Sequence, residues 1–480
     1  MNVVQLAEQI AVEMGFPPTG QQRALIDALA HFCGDATPYN AVFLLNGYAG
    51  TGKTSVVAAL VKALRAVRRP TVLLAPTGRA AKVLSGFADK KAMTIHRKIY
   101  KGLGDVAAVA GVADNPHSNA IFIVDEASMI GEGEHDSLLE DLVHYVYGSG
   151  HDCRMILLGD GAQLPPVGCD TSPAMSPDRL RQLGLKVTRA VITQTVRQKA
   201  RSGILYNATM LRRAMAQDPL PMPQLRVRPF ADVKSIGGEE LQDELINSYN
   251  NYGVDDTILI TRSNKRAMEF NLAIRKSILE KEDVITRDEP LLIAKNNYFW
   301  TSRVKGADFV ANGDVVKINK IYGTEIIGFL RFADVELSMP DRDITFDAKL
   351  ILNSLNSDTA GLNPEHEEML ISRALAGLDP SSAADPDVRR RVFHTDPYFN
   401  ALRVKYAYAV TCHKAQGGQW QSVFVDMANI SNDAVTTIDF YRWLYTATTR
   451  ARTTITYISP SIVSPDDSVN LSKGVALCLT

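Results

Sequence analysis

Residues 41–69, AVFLLNGYAGTGKTSVVAALVKALRAVRR, decide the fold. A short apolar run, AVFLLNG, ends in glycine, and a helix-like apolar pattern begins at Thr54. Between them Gly47-Tyr48-Ala49-Gly50-Thr51-Gly52-Lys53-Thr54 fits G-x-x-x-x-G-K-[ST] in the strand–loop–helix context that its chemistry requires. Glycines let successive backbone N–H groups turn inward around phosphate oxygens, and the helix adds its positive end. Gly47, Gly50, Thr51 and Gly52 are therefore expected to cradle a nucleotide. Lys53 is expected at its β and γ phosphates and the Thr54 hydroxyl on Mg²⁺.

Working outward, the same alternation repeats. TVLLAPT (71–77), AIFIVDE (120–126), RMILLGD (154–160) and VTRAVITQT (187–195) are further apolar runs with helix-like stretches between most of them. Continuous apolar strands alternating with helices imply a parallel sheet covered on both faces. Chemistry in such sheets sits beyond the carboxyl ends of the strands. A second α/β set follows in TILITRS (257–263), KRAMEFNLAIRKSILEK (265–281), SVFVDMAN (422–429), TTIDFYRWLYTATTRAR (436–452) and TTITYIS (453–459). The texture changes over 287–395, where strand-like pieces occur without helices between them, as expected of a small inserted β-barrel. The expected organisation is an α/β motor domain over 1–200, a second over 201–286 and 396–480, and the barrel over 287–395.

Composition agrees with a globular chain. The 480 residues carry 52 Lys plus Arg against 53 Asp plus Glu, a formal charge of −1, with 46% hydrophobic and 22% charged residues. That excludes collagenous and wholly disordered chains. No apolar run reaches the roughly 18 residues of a membrane span. The amino-terminal stretch carries Glu8 and Glu13 without an early basic cluster and does not read as a secretory signal. Cys33, Cys153, Cys169, Cys412 and Cys478 are isolated, so neither a zinc site nor a disulfide framework is expected, and a reduced cytoplasmic setting fits. Between Lys62 and Lys101 eleven Lys or Arg face one acid, Asp89. Such an excess can meet phosphates by counterion release or form a solvated helical face.

Other strand ends carry reactive side chains. Asp125-Glu126 after AIFIV is the pattern that would place one carboxylate on Mg²⁺ and the other as general base on a water; a simple strand cap is the competing reading. Gln163, in Gly159–Gly168, has an amide able to donate to a γ-phosphate oxygen and accept from water, though the loop also reads as an ordinary turn. Neutralising a γ-phosphate usually needs arginine. Arg197, in ITQTVRQ, and Arg450, in YTATTRAR, stand at element ends, with surface ion pairs as the alternative.

The ordered set GYAGTGKT, APTGRAAKVL (75–84), TIHR (94–97), VDEASM (124–129), GDGAQLPPVG (159–168), TQTVRQ (193–198), TCHKAQGGQW (411–420) and YTATTRAR (445–452) resembles superfamily 1 helicases, specifically the 5′→3′ branch with RecD-like and Dda-like proteins. The resemblance implies two RecA-like P-loop domains, a small inserted hairpin subdomain at about 88–118 and an SH3-like barrel approached through NGD (312–314). It implies Lys53, Glu126, Gln163, Arg197 and Arg450 as catalytic residues, and Gln21, in FPPTGQQRAL (16–25), as reader of the base. Gly417 and Gln419 are implied near γ-phosphate and ribose, and Thr54 and Asp125 on the metal. Thr77, Gly78, Arg79, His96, Asn264, Thr411 and His413 are implied on the DNA side. Asn271 and Tyr48 are further positions of interest. The chain departs from the pattern in the wedge: GLGDVAAVAGVADNPHSN (102–119) has no aromatic residue, leaving Val106, Val109 or Val112.

The expected activity is ATP-dependent unwinding of DNA with 5′→3′ translocation, using ATP and Mg²⁺. Expected partners are single-stranded DNA and single–double-strand junctions, with replication or single-strand-binding proteins as candidates. A cytoplasmic monomer, in a bacterium or in the host of a phage, and no membrane association complete the expectation. The competing readings are a strand-tracking or protein-displacing motor with weak unwinding, and a P-loop kinase or switch.

Overall fold

The computed structural model describes residues 2–100, 111–132, 137–194, 202–302, 304, 309–340, 344–357, 361–428, 430–460 and 462. Strands β1 (Ala41–Gly47), β2 (Thr71–Ala75), β3 (Ala92–Thr94), β4 (Ile121–Val124), β5 (Arg154–Gly159) and β6 (Lys186–Ile192) form one parallel sheet in the order β3-β2-β4-β5-β1-β6. Both faces are covered, as continuous apolar strands demand. Phe43 and Leu45 join one buried cluster with Val57, Leu60 and Leu64 of the helix Lys53–Ala66, while Val42 and Leu44 join another with Phe122, Leu142 and Leu157.

The second lobe is built from β7 (Val233–Ile236), β8 (Thr257–Thr261), β14 (Ala409–Thr411), β15 (Trp420–Asp426) and β16 (Ala451–Ile458), all parallel, in the order β14-β8-β15-β16-β7. Between β8 and β14 the chain closes a five-stranded barrel from β9 (Pro290–Ile293), β10 (Val315–Ile327), β11 (Leu330–Met339), β12 (Ile344–Ile351) and β13 (Leu402–Tyr406). Its closing strand follows residue 395, because three helices (Pro364–Leu375, Pro380–Ala384 and Pro386–Thr395) are spliced between β12 and β13. Proline at each helix start and an Asp or Asn before it explain why these short helices begin where they do.

The barrel is fused to the second lobe rather than tethered to it. Leu259, Phe424 and Ile458 of the parallel sheet share one buried cluster with Val316, Leu337 and Val404 of the barrel. Both crossing strands meet at a buried charge. Glu289, 0% exposed, accepts from Arg275 Nε at 2.6 Å, the Thr286 N–H at 2.9 Å and the Tyr408 hydroxyl at 3.0 Å. Arg275 also stacks on Tyr406, its guanidinium carbon 4.4 Å from the ring centre. Removing one member of such a pair leaves the other charge buried alone, at a cost of roughly 3–5 kcal/mol. Glu289→Gln should therefore lower the unfolding free energy of the second lobe and barrel, read from denaturant titration, by that order. A change under about 0.5 kcal/mol, the range of ordinary surface substitutions, would show that Glu289 does not hold the crossing.

Candidate nucleotide and nucleic-acid sites

The first sheet presents the phosphate loop at the carboxyl end of β1. The loop turns through Gly50 at φ +75° and Gly52 at φ +79°, where side-chain-bearing residues are strained. Lys53 Nζ lies against the Gly47 carbonyl oxygen, and a Cβ on Gly47 would come within 2.5 Å of the Lys53 side chain. The buried Thr51 hydroxyl donates to the Tyr48 carbonyl at 2.8 Å. Gln22, which the sequence reading passed over, caps its own helix with Thr19 and donates from Nε2 to the Thr51 carbonyl at 3.0 Å. Gln21 is exposed and held at the end of β6, its side-chain oxygen accepting the N–H groups of Thr193 and Gln194, both at 2.8 Å.

Two strands from β1, β4 delivers Asp125 and Glu126, both half-buried. The chain turns through φ +53° at Glu126, whose N–H donates to Asp125 Oδ1 at 2.9 Å. Burial first, and then the Glu126 charge, push the Asp125 carboxyl up to about 6, against the opposing pull of Lys53. The neighbouring β5 leads into Gly159–Gly168. There Gln163 is 6% exposed, and its Oε1 lacks a hydrogen-bond partner among the described residues. An orphaned buried acceptor is costly and points to something that binds there.

The second lobe closes over these loops. Tyr445, in the helix Ile438–Thr448, reaches Asp160 and the Ala49 N–H. The Leu164 N–H donates to Thr446 Oγ1 at 2.8 Å, and Gln416 Nε2 donates to the Leu164 carbonyl at 2.7 Å. Arg450 follows one turn later. It is 3% exposed, and its guanidinium donates to the carbonyls of Thr446 (3.0 Å) and Gly418 (3.2 Å) and to Thr449 Oγ1 (3.0 Å). These are neutral acceptors, so the surface ion pair considered for Arg450 is not how the residue is used. Arg197 lies outside the described residues.

Residues expected on the strand side, with Gly417 and Gln419 expected near γ-phosphate and ribose, also converge. The Gly417 Cα, at φ +72°, comes so close to the first lobe that a Cβ there would lie 3.1 Å from Thr77 Oγ1. Arg79 stacks on Trp420 with 4.6 Å to the ring centre. Thr77 caps the helix that begins at Gly78, accepting the Ala80 N–H at 3.2 Å. Next to them a cavity of about 620 Å³ is lined by Arg79, Lys82, Lys414, Gln419, Trp420 and Arg452, among others. Gln419 accepts from Arg452 Nε at 3.1 Å and so belongs to this group of side chains. His413 is exposed, and Thr411 stands half-buried before it. His96 packs against Tyr100 and Phe309 at 5.8 and 6.1 Å between ring centres, joining the first lobe to the barrel's approach. Asn264 is exposed at the start of its helix, whereas Asn271 is buried and bonds the backbone of Tyr408 and Ala409.

The basic excess at 62–101 is not one track. Arg65 pairs with Asp89, Arg69 is buried against the Cys33 and Asn119 carbonyls, and Lys90 donates to Thr71 at the amino end of β2. Of the ten among the described residues, only Arg79 and Lys82 line the cavity, and Lys101 lies outside them. In the segment expected to carry a wedge, Val106 and Val109 lie outside the described residues, and Val112 bridges Tyr100 in antiparallel fashion.

Comparison with known proteins follows the same division. The family model for an AAA domain matches residues 19–218, and that for a UvrD-like helicase C-terminal domain matches residues 406–456. The chain is 30% identical to the ATP-dependent RecD2 DNA helicase of Deinococcus radiodurans over 39% of its own length and 23% of that protein. It is 26% identical to the ATP-dependent DNA helicase dda of Enterobacteria phage T4 over 57% of its length and 62% of that one. Both of these relatives are DNA helicases by name, and the chain matches part of the length of each. An uncharacterised protein of Acanthamoeba polyphaga mimivirus is 23% identical over 85% of this chain and 94% of its own. The Bacteroides Pif1 helicase, solved with ADP-AlF3 and ssDNA, aligns over 96% of this chain and 97% of that one at 14% identity with a TM-score of 0.46. No helix among the described residues is long and apolar enough to cross a membrane.

Asp125 gives this site a pH signature. Its folded-state value lies above the ordinary carboxylate range, so ionising it costs folded stability as pH rises from about 4 to about 6. Asp125→Asn removes that cost and should stabilise the nucleotide-free protein by roughly 1–3 kcal/mol at pH 7.5, with little gain at pH 4. Urea titrations at the two pH values measure it. An equal effect at both would mean that the carboxyl is not raised.

Proposed function

We propose that this chain is an ATP-dependent DNA helicase that moves 5′→3′ along single-stranded DNA and hydrolyses Mg²⁺-ATP between its two parallel-sheet lobes. One observation carries the reading. The Arg450 guanidinium is buried at the lobe seam against neutral oxygens, one of them the carbonyl of Thr446, whose hydroxyl holds the loop of Gln163. A buried cation without a carboxylate partner is stabilised by an arriving anion.

In this reading the glycines of 47–52 and Lys53 hold the β and γ phosphates, and Gln21 reads the base. The donor set fits a metal that keeps most of its ligands from substrate and water. Thr54 and Asp125 would hold Mg²⁺, which supplies charge neutralisation at the phosphates, and among the described residues no cluster of three His, Cys, Asp or Glu forms an all-protein cage. Glu126 takes a proton from the attacking water, and Gln163 orients that water through its unpartnered oxygen. Arg450 and Arg197 offset the charge on the transferring phosphoryl group.

Because Arg450 gains an anionic partner only when the lobes are together, nucleotide binding favours the closed pair, and loss of the γ-phosphate releases it. The strand is gripped from the first lobe by Thr77, Gly78, Arg79 and His96, and from the second by Thr411, His413 and Asn264, with Gly417 and Gln419 on the nucleotide side near γ-phosphate and ribose. The meeting of Gly417 with Thr77 and the adjacent basic cavity support that path. Contacts of this type read backbone, so sequence preference should be slight.

Partial duplexes with a 5′ or a 3′ single-stranded tail test the direction. Unwinding of the 5′-tailed substrate alone is expected, and equal action on the 3′-tailed one would refute the direction. Lys53→Ala should abolish ATP turnover and leave single-strand binding within about twofold. Arg450→Ala should lower kcat by roughly 10²–10³-fold. Should Arg450→Ala instead unfold the protein, the guanidinium is a structural strut rather than a partner of the phosphate.

A further inference from the structure

One phenol oxygen of the second lobe joins two separate loops of the first. Tyr445 is 1% exposed, and its hydroxyl donates to Asp160 Oδ2 at 2.7 Å while accepting the Ala49 N–H at 3.0 Å. Ala49 belongs to the phosphate loop that carries Lys53, and Asp160 opens the loop that carries Gln163. Asp160 also shapes that loop from within. Its Oδ1 accepts the Ala162 N–H at 3.0 Å, and its backbone carbonyl accepts the Gln163 N–H at 3.1 Å. Gln163 is thus bracketed, by Asp160 on one side and on the other by Leu164, both of whose backbone polar groups bond the second lobe.

The tip of the phosphate loop rests on the same lobe through two further side chains. The Arg212 guanidinium lies 4.3 Å from the centre of the Tyr48 ring. A Cβ on Gly50 would meet the end of the Leu205 side chain at 2.5 Å, so the loop tip lies directly against it. Burial first, then the Asp160 charge, hold the Tyr445 phenol well above its ordinary range, and it remains a donor at any working pH.

We infer that Tyr445 is a positioning residue for hydrolysis: its hydroxyl fixes the phosphate-loop tip and the Gln163 loop against each other only while the lobes are joined. The inference rests on the ATPase reading above. A phenol that merely filled the seam would affect stability and nucleotide binding as much as turnover. A positioning hydroxyl affects kcat, because nucleotide affinity resides mainly in the first lobe and the orientation of Gln163 matters in the reaction.

The experiment measures ATP turnover of the full chain with saturating oligo-dT, together with equilibrium binding of a fluorescent ADP. It compares wild type, Lys53→Ala, Tyr445→Phe, Asp160→Asn and the Tyr445→Phe/Asp160→Asn double variant. Tyr445→Phe should lower kcat about 10–100-fold while ADP affinity stays within about threefold. Because the two groups share one hydrogen bond, the double variant should lose no more than the poorer single one. Tyr445→Phe turnover within twofold of wild type, a matching fall in ADP affinity, or losses that multiply in the double variant would each overturn the inference. If Tyr445→Phe fails to fold, Asp160→Asn decides alone, by the same split between kcat and affinity. A wild-type chain no more active than Lys53→Ala removes the ATPase reading itself, whereas an active wild type with an unimpaired Tyr445→Phe removes only this inference.

Discussion

A guanidinium taken out of water must find charge or hydrogen bonds, and Arg450 finds three neutral oxygens supplied by its own lobe. The arrangement around it follows from that constraint. Two of those oxygens come from the end of the helix Ile438–Thr448 and the residue that follows it, where carbonyls lack helical partners and the helix dipole is negative. The third, of Gly418, comes from the loop between β14 and β15. Arg450 therefore ties the strand-side loop of the second lobe to the turn of helix that touches the first. A shift of either loop changes the seat of the guanidinium.

The seam itself is half polar and half apolar, and the two halves do different work. Ala162 and Leu164 of the first lobe are buried within the core of the second, with Tyr48 and Ala49 packed at its edge. Apolar contact supplies attraction without direction. Direction comes from the hydrogen bonds of Tyr445, Thr446 and Gln416, which fix one register of the lobes. The barrel adds to this frame through a shared core and the Arg275–Glu289 pair, so it moves with the second lobe as one body. Lys82 of the first lobe bonds the Pro340 carbonyl at the barrel's near end, and that contact has to slide or break if the lobes part.

The sheets, the barrel and the phosphate loop were legible in sequence because each rests on local pattern: apolar runs, glycine spacing, and strands without helices between them. The closing barrel strand was not, since LRVKY at 402–406 follows a helical insertion and pairs in parallel with β12, a partner about fifty residues back. Gln22 was masked by its neighbour. Two adjacent glutamines look alike in a motif, and only helix phase shows that one faces the phosphate loop while the other faces β6. Tyr445 and Asp160 stood inside quoted motifs, yet nothing in their spacing reveals that they meet, because they are 285 residues apart. Arg450 was legible as a residue, though its burial against neutral oxygens was not.

Charge patterning left two readings open for a similar reason. A run of cations along the chain becomes a surface track only if the fold lays them on one face. In a parallel α/β sheet, consecutive strand and helix ends alternate between the two edges, so the described cations of this run, spread over two strands and their helices, divide between them. Arg69 and Lys90 fall at the amino edge of β2, where they satisfy carbonyls, and Arg79 falls beyond its carboxyl edge, where the lobes meet. The cations lining the cavity come from four separated segments: Arg79 and Lys82 from the first lobe, Lys414 and Arg452 from two segments of the second, and Lys317 from the barrel. Lys317 is already paired with Asp255 at 2.5 Å, and Arg452 with the Gln419 amide, so part of the field is offset before any strand arrives. A chain of near-zero net charge can thus hold a basic groove whose strength depends on the two lobes and the barrel being together.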